Sequence, residues 1–296
     1  MTSQHLFDAT YTFPNSDFQD RYDALVGLDE LKARLEKDAQ ALIRPDLFEQ
    51  WSESKHGLIP PAIVTFLRRP PVMIFAGDVG TGKTEMAMTI GDRIARMSKI
   101  DVELYCLSLR SRGAGTVGEM TALISEAFNT FQNRCPKRRA AARPKSAAIL
   151  LIDEADAIAQ SRESAQMHHE DRAGVNALIR GIDDLANSNS VCMVLMCTNR
   201  LRALDPAVQR RAAAVFEFER PSKELAQALL EKQLSGLDWP KRDLGHLAAA
   251  IADKGERGYS YTFSDVTQRI LPAAILAAYP GQGLTPAILS EAIRKT

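Results

Sequence analysis

The run Gly77-Asp78-Val79-Gly80-Thr81-Gly82-Lys83-Thr84 constrains this chain more than any other stretch. It has the spacing G-x-x-x-x-G-K-[ST], follows an apolar strand segment at 72–76 and opens a helical segment at 83–97. The residue types follow from what such a loop must do. Glycines let successive backbone N–H groups turn inward on a polyphosphate. The following helix adds the positive end of its dipole. Lys83 reaches toward the β- and γ-phosphates of ATP, and the Thr84 hydroxyl is suited to ligate Mg²⁺.

Short apolar segments and helical segments alternate around this loop. Strands are expected at 72–76, 102–107, 148–152, 191–197 and 215–218, and helices at 83–97, 118–131 and 172–185. The strand segments are almost continuously apolar, as when helices cover both faces of a sheet. Such alternation predicts a parallel sheet with right-handed crossovers. Earlier, Leu28, Leu31, Leu35, Ala39 and Leu42 recur at helical spacing, and Pro45 marks that helix's end. Residues 45–70 contain Pro60, Pro61 and Pro70 and read as loop-rich. Residues 1–20 are polar and aromatic without a clear period and read as an amino-terminal arm. After Pro221 the chain reads as helical at 222–234, 244–252, 263–278 and 286–294, with Ser222 as an N-cap and Glu224 in the first turn. The expected organisation is an arm at 1–20, an α/β body at 21–220 and a small helical lid domain at 221–296.

Three further features extend the phosphate loop into a reaction site. The strand 148–152 runs into Asp153-Glu154, two adjacent carboxylates. Asp153 is suited to hold Mg²⁺, directly or through water, and Glu154 to polarise an attacking water, so the site reads as hydrolytic. Thr198-Asn199 ends the strand 191–197, where the Asn199 amide is a candidate to position that water. Beyond it stand Arg210 and Arg211, before another strand. An arginine delivered to a neighbour's γ-phosphate is worth roughly 10³–10⁵ in rate, and acting that way requires a ring of subunits.

With these four features in order, the chain resembles the AAA+ ATPases over about residues 20–296. Val26-Gly27-Leu28-Asp29-Glu30-Leu31-Lys32 looks like the family's linker beside adenine, and Arg172-Ala173-Gly174-Val175-Asn176-Ala177-Leu178 like the helix after its second pore loop. The resemblance implies a doubly wound α/β body with a parallel sheet and a phosphate loop, capped by a small C-terminal helical lid domain. It also implies a homo-hexamer with ATP at each interface and Arg210 and Arg211 as candidate fingers in trans. Val26, Gly27 and the loop from Gly77 through Glu85 are the implied nucleotide-binding residues. Arg269-Ile270-Leu271-Pro272-Ala273-Ala274-Ile275-Leu276-Ala277, Val175-Asn176-Ala177 and the segment 189–199 are similar to the branch that remodels HORMA-domain proteins. That branch acts in meiotic and spindle checkpoints and in bacterial anti-phage operons.

Two departures from the family pattern stand out. Thr116-Val117-Gly118-Glu119 replaces the aromatic core of the first pore loop, which weighs against strong pulling. Val266 stands where that branch has a lid arginine, with Arg269 one helical turn later.

Composition narrows the remaining classes. Lys plus Arg and Asp plus Glu both number 37, so no overall basic footprint favours nucleic acid. No uncharged apolar run reaches the roughly 18–20 residues that span a bilayer, and the amino terminus lacks a secretory pattern. Four scattered cysteines, Cys106, Cys135, Cys192 and Cys197, read as free thiols in a reducing cytoplasm. The basic run 134–145 lacks interleaved aromatics and reads as a solvated loop. His168-His169 lacks helical metal-ligand spacing and reads as part of a mobile loop near the pore. Trp51 and Trp239 read as packing residues.

The expected function is that of an ATP-driven ring that partly unfolds or disassembles a protein partner held at pore loops 111–119 and 161–171. A HORMA-domain complex is the partner favoured by the resemblance. A nucleic-acid loader, a chaperone for other proteins and a scaffold that holds ATP without using it are the alternatives.

Overall fold

The computed structural model describes residues 6–108, 119–138, 143–157, 169–255 and 258–296. Its elements in chain order begin with β1 (Ala9–Phe13), α1 (Ser16–Ala24), α2 (Asp29–Ile43), α3 (Pro45–His56) and α4 (Pro61–Leu67). The alternating section follows: β2 (Val72–Gly77), α5 (Lys83–Ser98), β3 (Asp101–Ser108), α6 (Glu119–Arg134), β4 (Ser146–Asp153), α7 (His169–Asn187) and β5 (Cys192–Thr198). Then come α8 (Pro206–Gln209), β6 (Ala214–Phe218), α9 (Lys223–Gln233), α10 (Lys241–Ala252), α11 (Phe263–Asp265), α12 (Leu271–Ala278) and α13 (Pro286–Lys295). A π-turn at Val266–Ile270 joins α11 to α12.

The chain divides into two compact units, one of residues 1–22, 30–76 and 84–217, the other of residues 23–29, 77–83 and 218–296. The first is built on a six-stranded sheet of order β1-β3-β4-β5-β2-β6. The pairs β3–β4, β4–β5 and β5–β2 are parallel, as the strand–helix alternation predicts. The central strands are buried on both faces. On one face Val72, Ile74, Leu150, Ile152, Val194 and Met196 share a core with Phe128 and Phe131 of α6 and Leu178 and Ile182 of α7. On the other, α5 comes close enough that a methyl group on Gly91 would meet Phe13 and Ile149. Helices on both faces explain the uninterrupted apolar runs and make the unit a doubly wound α/β body.

The segment expected as an arm contributes to this body. Ala9–Phe13 pairs antiparallel with β3, Phe13 is fully buried, and Phe18 of α1 packs edge-on against it. Residues 45–70, expected as loop, hold α3 and α4 instead. Pro45 and Pro61 each stand in a first helical turn, where a missing N–H costs nothing. Trp51 on α3, expected to pack, is 49% exposed, whereas Trp239 is partly buried against the second unit's core. Within the basic run Arg138 donates to the Leu42 carbonyl at 3.0 Å and the exposed Lys137 to Ser190 Oγ at 3.0 Å, while residues 139–142 lie outside the described residues. His169 opens α7, and His168 lies outside the described residues.

The second unit is helical. Ala226, Leu229 and Leu230 of α9, Leu247 and Ile251 of α10, Val266 and Ile270, Ala274 of α12 and Leu289 and Ile293 of α13 form its core. Ser222 caps α9 by accepting from Leu225 N–H, as the sequence predicts. The four cysteines are free thiols. Three are buried, and burial together with the charges of Asp8 and Asp153 pushes the half-buried Cys106 up to about 12. No helix among the described residues is long and apolar enough to cross a membrane.

Candidate active site

Strand register brings the carboxyl ends of three strands of the first unit side by side. Ala76 lies opposite Thr198, and Ile152 opposite Met196, so β2, β5 and β4 finish side by side at their carboxyl ends. This is where open parallel sheets bind their ligands. Thr84, in the first turn of α5, puts its hydroxyl 3.1 Å from Asp153 Oδ2 and 3.4 Å from Oδ1. A hydroxyl and a carboxylate converging in this way form an all-oxygen donor pair of the kind Mg²⁺ prefers. Asp153 Oδ1 also accepts the N–H of Glu154 at 2.9 Å. Glu154 takes φ of +53°, a left-handed conformation uncommon in residues other than glycine. The strained bend ends β4 at its two carboxylates.

At the neighbouring strand end, the Thr198 hydroxyl and the Asn199 backbone N–H both donate to Asp156 Oδ1, at 3.2 and 3.4 Å. Asp156 thereby ties the end of β5 to the turn after β4. Residue spacing does not single out Asp156, although a third acid after the Asp153-Glu154 pair is the available signal. Arg21 is a second residue that spacing leaves out. It grips Glu85 through a fork of two bonds, 2.7 and 2.8 Å, and its guanidinium lies over the Phe18 ring.

Residues 77–83 of the phosphate loop belong to the second unit. Lys83 is buried, and its Nζ donates to the carbonyls of Gly77 and Asp78 at 2.8 and 2.7 Å, which sets the ammonium against the loop backbone. Thr81 is fully buried and donates to the Asp78 carbonyl at 2.8 Å, while Val79 stands 72% exposed at the tip. A Cβ on Gly77 would lie 2.1 Å from the Phe218 carbonyl oxygen, so only glycine fits there. Gly80 takes φ of +81°. These residues fit a polyphosphate: backbone donors turned by glycine, a buried ammonium, and a helix beginning at Lys83. Val26 packs against the unit's helical core, and Gly27 lies so near Leu225 of α9 that a Cβ would approach it to 2.7 Å.

The two candidate fingers differ. Arg211 is paired within its own chain to Asp183, whereas Arg210 is exposed and its guanidinium has no partner among the described residues. Arg269 is 64% exposed and, among the described residues, pairs with Asp265 at 3.4 Å, while Val266 is fully buried. Of the segments 111–119 and 161–171 expected as pore loops, residues 111–118 and 161–168 lie outside the described residues.

A phosphate loop between β2 and α5, an acid pair ending β4 and a polar residue ending β5 define the class, a phosphate-loop ATPase. Residues 73–220, half of the chain, match the ATPase family associated with various cellular activities (AAA), and the chain belongs to that nucleotide-binding family. Within it, the chain is 51% identical over 276 residues to CD-NTase-associated protein 6 of Escherichia coli strain MS 115-1, covering 93% of this chain and 89% of that protein. Its structure is similar to a chain of the E. coli MS115-1 HORMA:CdnC:Trip13 complex, with a TM-score of 0.90 and 47% identity over 98% of this chain and 95% of that one. Rhizobiales Trip13 superposes with a TM-score of 0.76 and 39% identity, covering 97% of each chain.

Proposed function

We propose that this chain is a cytoplasmic, ATP-hydrolysing remodeller that assembles as a hexameric ring and loosens or disassembles a HORMA-domain protein complex. The observation that supports the hydrolytic half is the 3.1 Å approach of Thr84 Oγ1 to Asp153 Oδ2, within the first unit. Thr84 and Asp153 are the residues that would hold Mg²⁺, and the ion, when bound, would supply positive charge to phosphate oxygens. Lys83 adds a second positive charge to the same oxygens. Glu154 accepts a proton from the attacking water as its oxygen bonds to the γ-phosphorus and the bond to the bridging oxygen breaks. Asn199 orients that water. Arg210, presented to a neighbouring subunit, stabilises the charge on the transferred group.

The partner half rests on likeness. The relatives are a protein named for association with a CD-NTase, at 51% identity, and a chain of a HORMA:CdnC:Trip13 complex, at 47%. Four free thiols suit a reducing compartment.

The test mixes this chain with a purified HORMA-domain protein. ATP is expected to drive loss of protease protection in that protein, and Glu154→Gln to trap the two as a stable complex. A chain that leaves the HORMA-domain protein untouched but binds DNA with a steep salt dependence would belong to the loader class instead.

A further inference from the structure

We propose that Arg220 is a positioning residue for the phosphate loop: it clamps Asp78, 142 residues away in sequence, to segment 259–264 of the same compact unit. The proposal rests on the reading of 77–84 as a nucleotide loop. It adds a residue to that reading which no motif contains.

Arg220 follows β6 and is held in three ways. Its Nε donates to Asp78 Oδ2 at 2.7 Å, its Nη1 donates to the Ser260 carbonyl, and its guanidinium carbon stands 4.9 Å from the centre of the Tyr259 ring. A planar guanidinium can donate along its edge to a carboxylate and a carbonyl while its face meets a ring, a fixed geometry that a lysine ammonium lacks. The loop is gripped again two residues on. Ser264 N–H donates to the Gly80 carbonyl at 3.0 Å, and a Cβ on Gly80 would come within 2.6 Å of Thr262 Oγ1. Thr262 is buried and fixed in a capping box with Asp265. Loop residues 78 and 80 are therefore both fastened to the segment that leads into α11.

Charge gives the clamp its consequence. Asp78 places a carboxylate on a loop that must receive a polyanion. Arg220 neutralises that carboxylate and holds it toward Ser260. Removing the guanidinium leaves the negative charge uncompensated and its side chain untethered. Removing both charges restores neutrality.

The experiment measures binding of a fluorescent ATP analogue, with and without Mg²⁺, to the full chain. Arg220→Ala is expected to weaken binding about fivefold, the reach of a partly screened charge pair, and to lower kcat at saturating ATP by less. The double variant Arg220→Ala/Asp78→Asn is expected to recover most of that affinity, a gain that general loosening of the fold cannot produce. Arg220→Gln, which keeps the apolar stem, serves if the alanine variant fails to fold. Unchanged affinity in the Arg220 variants, or a double variant as weak as the single, would overturn the clamp. Absence of binding in the unmodified chain would instead overturn the nucleotide reading of the loop.

Discussion

Arg211 and Asp183 meet as a parallel fork, with Nε 2.7 Å from Oδ1 and Nη2 2.9 Å from Oδ2. This hydrogen bonding raises the already high pKa of the guanidinium, and a third bond at 3.1 Å runs to the Ala207 carbonyl. Arg211 therefore anchors α8 to α7, while the adjacent Arg210 is exposed and carries no such restraint.

The two arginines should accordingly separate on mutation. Arg210→Ala is expected to cut ring-dependent ATP turnover by about 10³-fold or more without moving the melting temperature. Arg211→Ala is expected to cost up to about 1 kcal/mol in urea unfolding, since both partners are partly exposed, and less turnover than Arg210→Ala. A larger turnover loss from Arg211→Ala would reverse the assignment.

Asp46 supplies a pH test. A hydrogen-bonded fork from Arg44 holds its carboxyl below the usual carboxylate range. A group depressed in the folded state stabilises fully above its unfolded pKa, about 3.9, and that contribution is lost as pH falls through the folded value. Asp46→Asn should then be less stable than the parent by about 1 kcal/mol at pH 7, with the gap closing at an acid pH below the folded value. Urea titrations at both pH values decide it; a gap that persists unchanged in acid counts against the ion pair.

Gly181 probes the contact between α6 and α7. A Cβ there would lie 2.4 Å from the Phe128 ring, which is itself buried in the first unit's core. Gly181→Ala should destabilise by roughly 1–3 kcal/mol despite alanine's better helix propensity. Chemical denaturation at neutral pH reads the sign directly, and a gain in stability would mean that Phe128 repacks freely.

Legibility in the sequence followed locality. The loop 77–84 and the strands β2, β4 and β5 announce themselves because one short segment carries both composition and period. β1 does not: it is a five-residue edge strand whose half-exposed alternation resembles an irregular polar segment. Helices α3 and α4 were hidden because their prolines open them, whereas the same residues read equally well as loop punctuation. Asp156, Arg21 and Arg220 act through partners 42, 64 and 142 residues away, so no spacing rule reaches them.

The central claim is that a nucleotide held by the loop 77–84 is split with Glu154 as base. Its most direct test pairs calorimetric titration of Mg·ATP with steady-state phosphate release for Glu154→Gln. Nucleotide affinity close to that of the parent with turnover lower by about 10²–10⁴-fold is the expected result. Turnover at the parent's rate in Glu154→Gln would contradict the account.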